Sequence, residues 1–358
     1  MSMSQLLTIV IPTYERRDRL KRSIAYWLQS GYQIVVADGS AASNSDLVPK
    51  PAQYSHDPDS RIVERWINAI RQVKTEYILL CADDDFVGLE AISKCLKFLQ
   101  ANPDYSCAQG QYVFFESEEL LPCVYEGYTH IDNWPREHDQ FSPRLCKAMD
   151  NYMHCIYSVQ RTKNVHCFLN EFPVLTNDHT MELQFTICNA IFGKHHIFES
   201  FYALREIIKN SGGQTFQYVG KWYKADRVAF NKWRAYCVNL FVKHQGLDLC
   251  QAENLFDQAF SLYIADEERA RPEENRSLQM RVRRVIRNTL PTTMVKAFRF
   301  GREILRNFFR LPKKVFHEKN GTNAVVEFCE NKFGPSSVND ARRMQRSLLA
   351  SYEETIKK

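Results

Sequence analysis

The apolar run Tyr77-Ile78-Leu79-Leu80-Cys81 carries the chain into Ala82 and then into three consecutive aspartates, Asp83, Asp84 and Asp85. A segment that short and that apolar reads as a strand buried on both faces, which is the strand type of a parallel sheet covered by helices. The flanking sequence agrees. Leu6 to Ile11 is another apolar run, stopped by Pro12, and Gln33 to Ala37 is a third, ending at Asp38-Gly39-Ser40. Between these two lies a charged stretch with Leu20, Ile24, Trp27 and Leu28 at helical spacing. A Ser/Pro/Asn-rich loop then leads to an amphipathic face of Ile62, Val63, Trp66, Ile67, Ile70 and Val73. Gly88 to Leu99 reads as a helix and Cys107 to Glu116 as a further strand. Strands alternating with helices predict an α/β fold with a doubly wound, mainly parallel sheet. Ligands of such sheets sit beyond the carboxyl ends of the strands, where Asp38 and Asp83 to Asp85 both fall.

Further along, the pattern predicts a helix from Arg144 to Cys155, another beginning around Asp178, and an extended segment from His196 to Leu204. Ser211-Gly212-Gly213-Gln214 reads as a loop. From Arg227 onward helical spacing dominates and no strand is expected, so a domain of residues 1–225 followed by a helical region, 226–358, is expected. At 358 residues with 44% hydrophobic and 25% charged content, the chain can bury a sizeable core. Its eleven cysteines are scattered singly and contain no C-x-x-C pair, which predicts reduced thiols in a cytosolic compartment. Leu6 to Ile11 is too short for a signal sequence and lacks a basic flank. No run approaches the roughly 18 apolar residues a spanning helix needs, so an integral membrane protein is excluded.

Three adjacent carboxylates repel one another and raise one another's pKa unless a cation offsets the charge. All-oxygen ligands suit Mn²⁺ or Mg²⁺, ions that also bind substrate phosphates. An acidic turn capping the following helix is the structural alternative. His154, His179, His195 and His196 lack the spacing of a zinc site and read as core or surface histidines.

Five segments in order carry a resemblance: Val10-Ile11-Pro12-Thr13-Tyr14, Val35-Val36-Ala37-Asp38-Gly39-Ser40, Arg65-x-x-Asn68-Ala69, Lys74-Thr75-Glu76-Tyr77-Ile78, and Ala82-Asp83-Asp84-Asp85. Together, over roughly residues 6–120, they resemble the signature of family 2 glycosyltransferases of GT-A fold. The resemblance implies a GT-A-type domain with a C-terminal helical extension, and a nucleotide-diphospho-sugar donor. It implies that Pro12, Thr13, Tyr14, Asp38 and Asn68 line the nucleoside site. It also implies that the triplet acts as the D-x-D motif, with Asp85 and Asp83 on the metal and Asp83 and Asp84 on the donor. Ala37 and Ala82 stand where the family usually has aspartates, so the division of work between Asp83 and Asp84 stays open.

An inverting transfer needs a carboxylate to take the acceptor's proton. The resemblance implies such a base at the opening of a helix after the nucleotide half, where Asp178 and Glu182 lie on one helix face; a helix cap and a solvated acid are the structural alternatives. Arg205, Lys209, Lys221 and Lys224 flank the Gly212-Gly213 loop, as surface cations or as partners of a leaving diphosphate. Between Arg281 and Lys319, twelve lysines and arginines face two acids, a local net of +10, which leaves −5 for the rest of a chain whose total is +5. Val295, Phe298, Ile304, Leu305, Phe308 and Phe309 are interleaved with these cations, a pattern that fits a helix lying on an anionic membrane surface. A packed helix with a solvated basic face is the alternative, and a nucleic-acid partner is not expected because no binding module accompanies the charge. The expectation is sugar transfer to a glycan or lipid-linked acceptor in surface polysaccharide synthesis, at the cytoplasmic face of a membrane. A non-catalytic scaffold or glycan-binding subunit is the alternative. A sugar nucleotidyltransferase is disfavoured because Pro12 to Arg17 contains no glycine, and an oxidoreductase because no G-x-G-x-x-G occurs.

Overall fold

Seven consecutive buried residues, Leu7–Thr13, form the centre of the sheet, because β-branched side chains there can be covered on both faces. The computed structural model describes residues 5–116, 123–127, 136–150, 152–170, 172–173, 177, 179–207, 219–270, 314–315 and 323–356. Within them β1 (Leu7–Thr13), β2 (Gln33–Asp38), β3 (Gln53–His56) and β4 (Tyr77–Leu80) run parallel in the order β3-β2-β1-β4. The strand expected to stop at Pro12 continues through it to Thr13. Pairing with β4 ends at Val10, and Pro12 lies opposite Ala37 of β2 alone, so the missing N–H removes no bond to a second neighbour.

Two residues after the triplet's last carboxylate, the short strand β5 (Phe86–Val87) is complete, and the longer β6 (Tyr105–Glu116), β7 (Cys123–Glu126), β8 (Val159–Arg161) and β9 (Lys194–Glu206) follow. β8 lies antiparallel between β4 and β6, while β9 runs parallel to β6 and antiparallel to β5. The result is a mixed, mostly parallel central sheet flanked by helices on both sides. A two-residue strand, β10 (Lys314–Val315), pairs antiparallel with β7, where no strand was expected beyond Arg227. Its two residues are too few to leave a periodic signal.

Helix α1 (Arg17–Trp27) buries Leu20, Ile24, Tyr26 and Trp27. α2 (Ile62–Gln72) buries Val63, Ile67 and Ile70 against β1 and β2, and its first turn is closed by Arg61 N donating to Glu64 Oε2 at 2.9 Å. α3 (Leu89–Ala101) buries Ile92, Leu96 and Leu99, each contributing roughly 1.5–3 kcal/mol. Helix α4 spans Phe141–Asp150, not Arg144 to Cys155: the backbone turns off, with Tyr152 N donating to Asp266 Oδ2 at 3.1 Å and Met153 O accepting from Arg136. α5 (Thr162–Leu169) and α6 (His179–Phe192) precede α7 (Val219–Ala225), α8 (Arg227–Gln245) and α9 (Leu249–Ala270). α9 packs on α4, and α8 on α6. α10 (Ala324–Phe333) and α11 (Val338–Ile356) pack together, with α11 also on α1 and α3, so helices from both halves of the chain share one apolar core. Among the described residues no disulfide forms, and no helix is long and apolar enough to cross a membrane.

The end of β5 is fastened from two sides. Tyr26 sets its ring edge-on to Phe86 at 5.0 Å and donates its hydroxyl to Val87 O at 2.8 Å. α3 begins at Gly88, which has no side chain to cap the helix, and Asp340 of α11 supplies the cap instead: Glu90 N and Ala91 N donate to its two carboxylate oxygens at 3.1 and 3.0 Å. A Cβ on residue 88 would stand 2.2 Å from Asp340 Oδ2, so only glycine admits this contact.

Candidate active site

The carboxyl ends of β1, β2 and β4 bring together Thr13, Asp38 and the segment that continues into the triplet, because the three strands are parallel and adjacent. At the β2 end Asp38 is fully buried. Its Oδ1 accepts from Ser40 N at 2.8 Å, and its Oδ2 accepts from Asn44 Nδ2 at 2.9 Å and from the Tyr54 hydroxyl at 2.7 Å. Burial pushes this carboxyl up, but hydrogen bonds from Tyr54, Ser40 and Asn44 outweigh it and hold it below its ordinary value. Asp38 thereby fixes the loop after β2, and His56 closes it with a ring nitrogen 2.7 Å from Ser40 O.

On the β1 side, Pro12 and Thr13 end the strand, and Tyr14 projects outward with 56% of its surface exposed. Its ring is therefore open to stacking. The guanidinium of Arg65, from α2, lies 5.7 Å from that ring and against Gly39. Arg65 is the α2 side chain that reaches Tyr14; Asn68, one turn on, faces solvent. Glu15 then adopts a left-handed φ of 52°, held by Glu15 N donating to Ser40 Oγ at 2.8 Å and Ala41 N donating to Glu15 Oε1 at 2.7 Å. The chain leaves this turn at Arg16, beside the triplet.

All three aspartates are buried. Asp83 Oδ2 accepts the Thr13 hydroxyl at 2.6 Å, tying the triplet to the end of β1. Arg16 Nη1 lies 2.6 Å from Asp84 Oδ2 and 3.3 Å from Asp83 Oδ1. Asp85 turns toward β9, accepting from Glu206 N at 2.8 Å and from Arg205 Nε at 3.3 Å. Glu206, its side chain buried, pairs with Arg19 at 3.0 Å and Arg22 at 2.7 Å. Arg205 packs its guanidinium 4.8 Å from the Tyr157 ring and bonds His154. Asp83, Asp84, Asp85 and Glu206 thus meet Arg16, Arg19, Arg22 and Arg205, four acids against four guanidinium groups. Burial still raises Asp83 to about 6, and burial with the charges of Asp85 and Asp83 raises Asp84 well above the carboxylate range.

A divalent ion does not fit these side chains as they stand. Asp85 faces away from the other two, Arg16 stands between Asp83 and Asp84, and among the described residues no group of three acids, cysteines or histidines converges on a metal position. The expected histidine roles divide accordingly: His154 bonds Arg205, buried His195 lies near Arg136, and His196 pairs with Glu137.

Glu182 is half-buried in the first turn of α6, which packs against β6 and β9. Asp178, Lys209, the Gly212-Gly213 loop and the basic segment 281–319 apart from Lys314 and Val315 lie outside the described residues. Lys221 and Lys224 are exposed on α7. The arginines of α1 had no place in the sequence expectation, yet they left a signal. Arg16, the N-cap of α1, and Arg19 in its first turn sit where the positive end of the dipole disfavours cations, and with Arg22 they recur every three residues along one face. Glu206 left no such trace; only the pairing of β9 with β5 and β6 brings it to the triplet.

Residues 8–155 match the sequence model described as Glycosyl transferase family 2. No curated protein sequence matches the chain. Among solved structures, S. aureus TarS 1-349 is similar at a TM-score of 0.52 and 11% identity, covering 98% of this chain and 91% of that one. S. aureus TarS 1-349 in complex with UDP-GlcNAc is similar at a TM-score of 0.50 and 11% identity, covering 98% and 92%. At this identity the likeness concerns the fold.

Proposed function

We propose, from the premise that residues 8–155 are a family 2 glycosyltransferase domain, that this enzyme moves a sugar from a nucleotide-diphospho-sugar to a hydroxyl of a glycan or lipid-linked acceptor, with inversion. The observation that carries the reading is the 2.6 Å bond from Thr13 Oγ1 to Asp83 Oδ2, which joins the end of β1, next to the exposed Tyr14, to the acidic triplet. A nucleoside laid on Tyr14, with Pro12, Asp38 and Asn68 around it, has its diphosphate toward Asp83 and Asp84 and toward Arg16 and Arg205. Those guanidinium groups match phosphate geometry and meet the charge that grows on the leaving group.

The reaction is a single displacement. The acceptor oxygen bonds to the anomeric carbon as the bond from that carbon to the diphosphate oxygen breaks, and the nucleoside diphosphate leaves with the electron pair. The acceptor's proton passes to a carboxylate, Asp178 or Glu182. The basic segment 281–319 holds the enzyme at an anionic membrane surface, where a lipid-linked acceptor resides; glutamine at Arg281, Arg283, Arg284 and Arg287 should weaken co-flotation with phosphatidylserine vesicles, and undiminished flotation would refute that contact.

The test of transfer is release of nucleoside diphosphate from a panel of nucleotide sugars, with and without Mn²⁺. UDP-GlcNAc comes first, since the TarS structure was obtained with it. One donor should be consumed, Asp178→Asn or Glu182→Gln should lower the rate by about 10²-fold or more while donor binding persists, and the reading fails if no donor releases nucleotide under any condition.

A further inference from the structure

The segment Lys74-Thr75-Glu76 enters β4 at the end away from the triplet, and a cavity of about 370 Å³ lies there, between the end of α2, the entry to β4 and the start of α5. Three cations on its wall, Lys74, Arg161 and Lys163, meet one carboxylate, Glu76. Arg161 is committed elsewhere: Nε donates to Tyr105 O at 2.8 Å, Nη2 to Leu99 O at 2.6 Å, and Nη1 lies 3.9 Å from Glu76 Oε1. Lys74 and Lys163 are exposed and form no hydrogen bond or ion pair with another described residue. The first residues of α5 line the same cavity. Thr162 N donates to Glu76 O at 3.0 Å, whereas the amides of Lys163 and Asn164, at the second and third helical positions, have no acceptor within the helix. The N-cap, Arg161, supplies no side-chain bond to them. Thr162 itself is 5% exposed, and its hydroxyl has no hydrogen-bond partner. A buried hydroxyl left in that state costs stability until a ligand bonds it.

We propose that this cavity binds a phosphate group, at the opposite end of β4 from the acidic triplet. Phosphate oxygens accept from the amides of Lys163 and Asn164 and from the Thr162 hydroxyl, while the ammonium groups of Lys74 and Lys163 and the positive end of the α5 dipole balance the charge. A metal cation is repelled by the same groups. The volume lies in the range of small-molecule pockets, so it admits either free phosphate or the charged end of a phosphate ester. Glu76 O and Ile70 O already tie α5 to the segment between α2 and β4, the first through Thr162 N and the second through His166 Nε2, 2.9 Å away. A bound phosphate adds a further tie between the same elements. Arg16 and Arg205 lie beyond the other end of β4, so this ligand is separate from the diphosphate of a sugar donor.

The experiment is isothermal titration of inorganic phosphate, and separately of glycerol 1-phosphate, into the full chain at fixed ionic strength. Wild type should bind at least one of them at millimolar concentration or below. Lys74→Gln combined with Lys163→Gln should raise the dissociation constant about tenfold or more, the loss of charge-assisted bonds. Thr162→Val keeps the shape, removes the hydroxyl and should weaken binding severalfold. The same ligand should raise the melting temperature of wild type and not that of the double lysine variant. Tighter binding of glycerol 1-phosphate identifies a phosphate ester as the ligand, and tighter binding of inorganic phosphate identifies the free ion; either supports the site. Absence of binding at millimolar concentration, or binding that survives loss of both lysines, overturns the proposal. Binding that is lost in Arg16→Gln but kept in the double lysine variant places the phosphate at the donor side instead, and overturns it as well.

Discussion

Asp38 and the Asp83–Asp85 triplet follow strands on either side of β1, and both are buried, yet their charges are held in opposite ways. Asp38 is surrounded by neutral donors from one short loop and from β3, each aimed at a single carboxylate, and its pKa falls in spite of burial. The triplet is surrounded by full positive charges, and the pKa values of Asp83 and Asp84 rise all the same. At Asp38 burial is outweighed by the aimed dipoles of Tyr54, Ser40 and Asn44; at Asp83 burial outweighs Thr13, Arg16 and Arg19, and at Asp84 the repulsion of Asp85 and Asp83 adds to burial. Asp38 is consequently a fixed part of the frame. Asp83 and Asp84 keep an unsatisfied preference for more positive charge.

The largest expected effect separates the two sites by stability. Asp38→Ala strands the Tyr54 hydroxyl, the Asn44 amide and the Ser40 N–H without their acceptor, and should cost about 3 kcal/mol in urea unfolding. Asp84→Asn keeps the shape and replaces a charge that burial disfavours, so its cost should stay within about 1 kcal/mol, given that the Arg16 partner is partly solvent-screened. Equal losses in the two variants would erase the contrast.

A smaller effect appears in melting temperature against pH. Asp83, raised to about 6 in the fold, binds its proton more tightly than the unfolded chain does. Its contribution to stability therefore declines as pH rises from about 4 to about 6 and is flat above that. Asp38 has the opposite sign: lowered in the fold, it stabilises above about pH 4 and is lost as pH falls through its folded value. Asp83→Asn should flatten the decline between about pH 4 and 6 and leave the acid limb intact. A decline that persists unchanged in the variant would locate it elsewhere.

Much of this architecture was legible because it rests on local pattern. The apolar runs of β1, β2 and β4 show in sequence since each is covered on both faces, and parallel strands put Thr13, Asp38 and the triplet at one edge whatever the loops do. β3 was not legible because its four residues, Gln53 to His56, are polar and none is fully buried, and β5 and β8 because they are two and three residues long. The partners of the acids were hidden for a different reason. Tyr54 reaches Asp38 across 16 positions, and Arg205 and Glu206 reach Asp85 across 120 and 121, distances over which no periodicity connects two residues. The helix expected to run to Cys155 stops at Asp150, where tertiary bonds to Asp266 and Arg136 take the backbone amide of Tyr152 and the carbonyl of Met153. Asp85 drew the first metal assignment as the last residue of the motif, and in the fold its carboxylate serves β9.

The cap that Asp340 places on α3 has a consequence for how the protein is made. Gly88 and the amides it exposes leave the ribosome some 250 residues before their acceptor does. Until α11 arrives, the start of α3 keeps free amides beside the end of β5, two residues from the triplet's last aspartate. The parallel part of the sheet is thus synthesised early and locked late, and a chain interrupted before residue 338 would carry the triplet, Asp38 and Thr13 while lacking the contact that fastens the segment behind them.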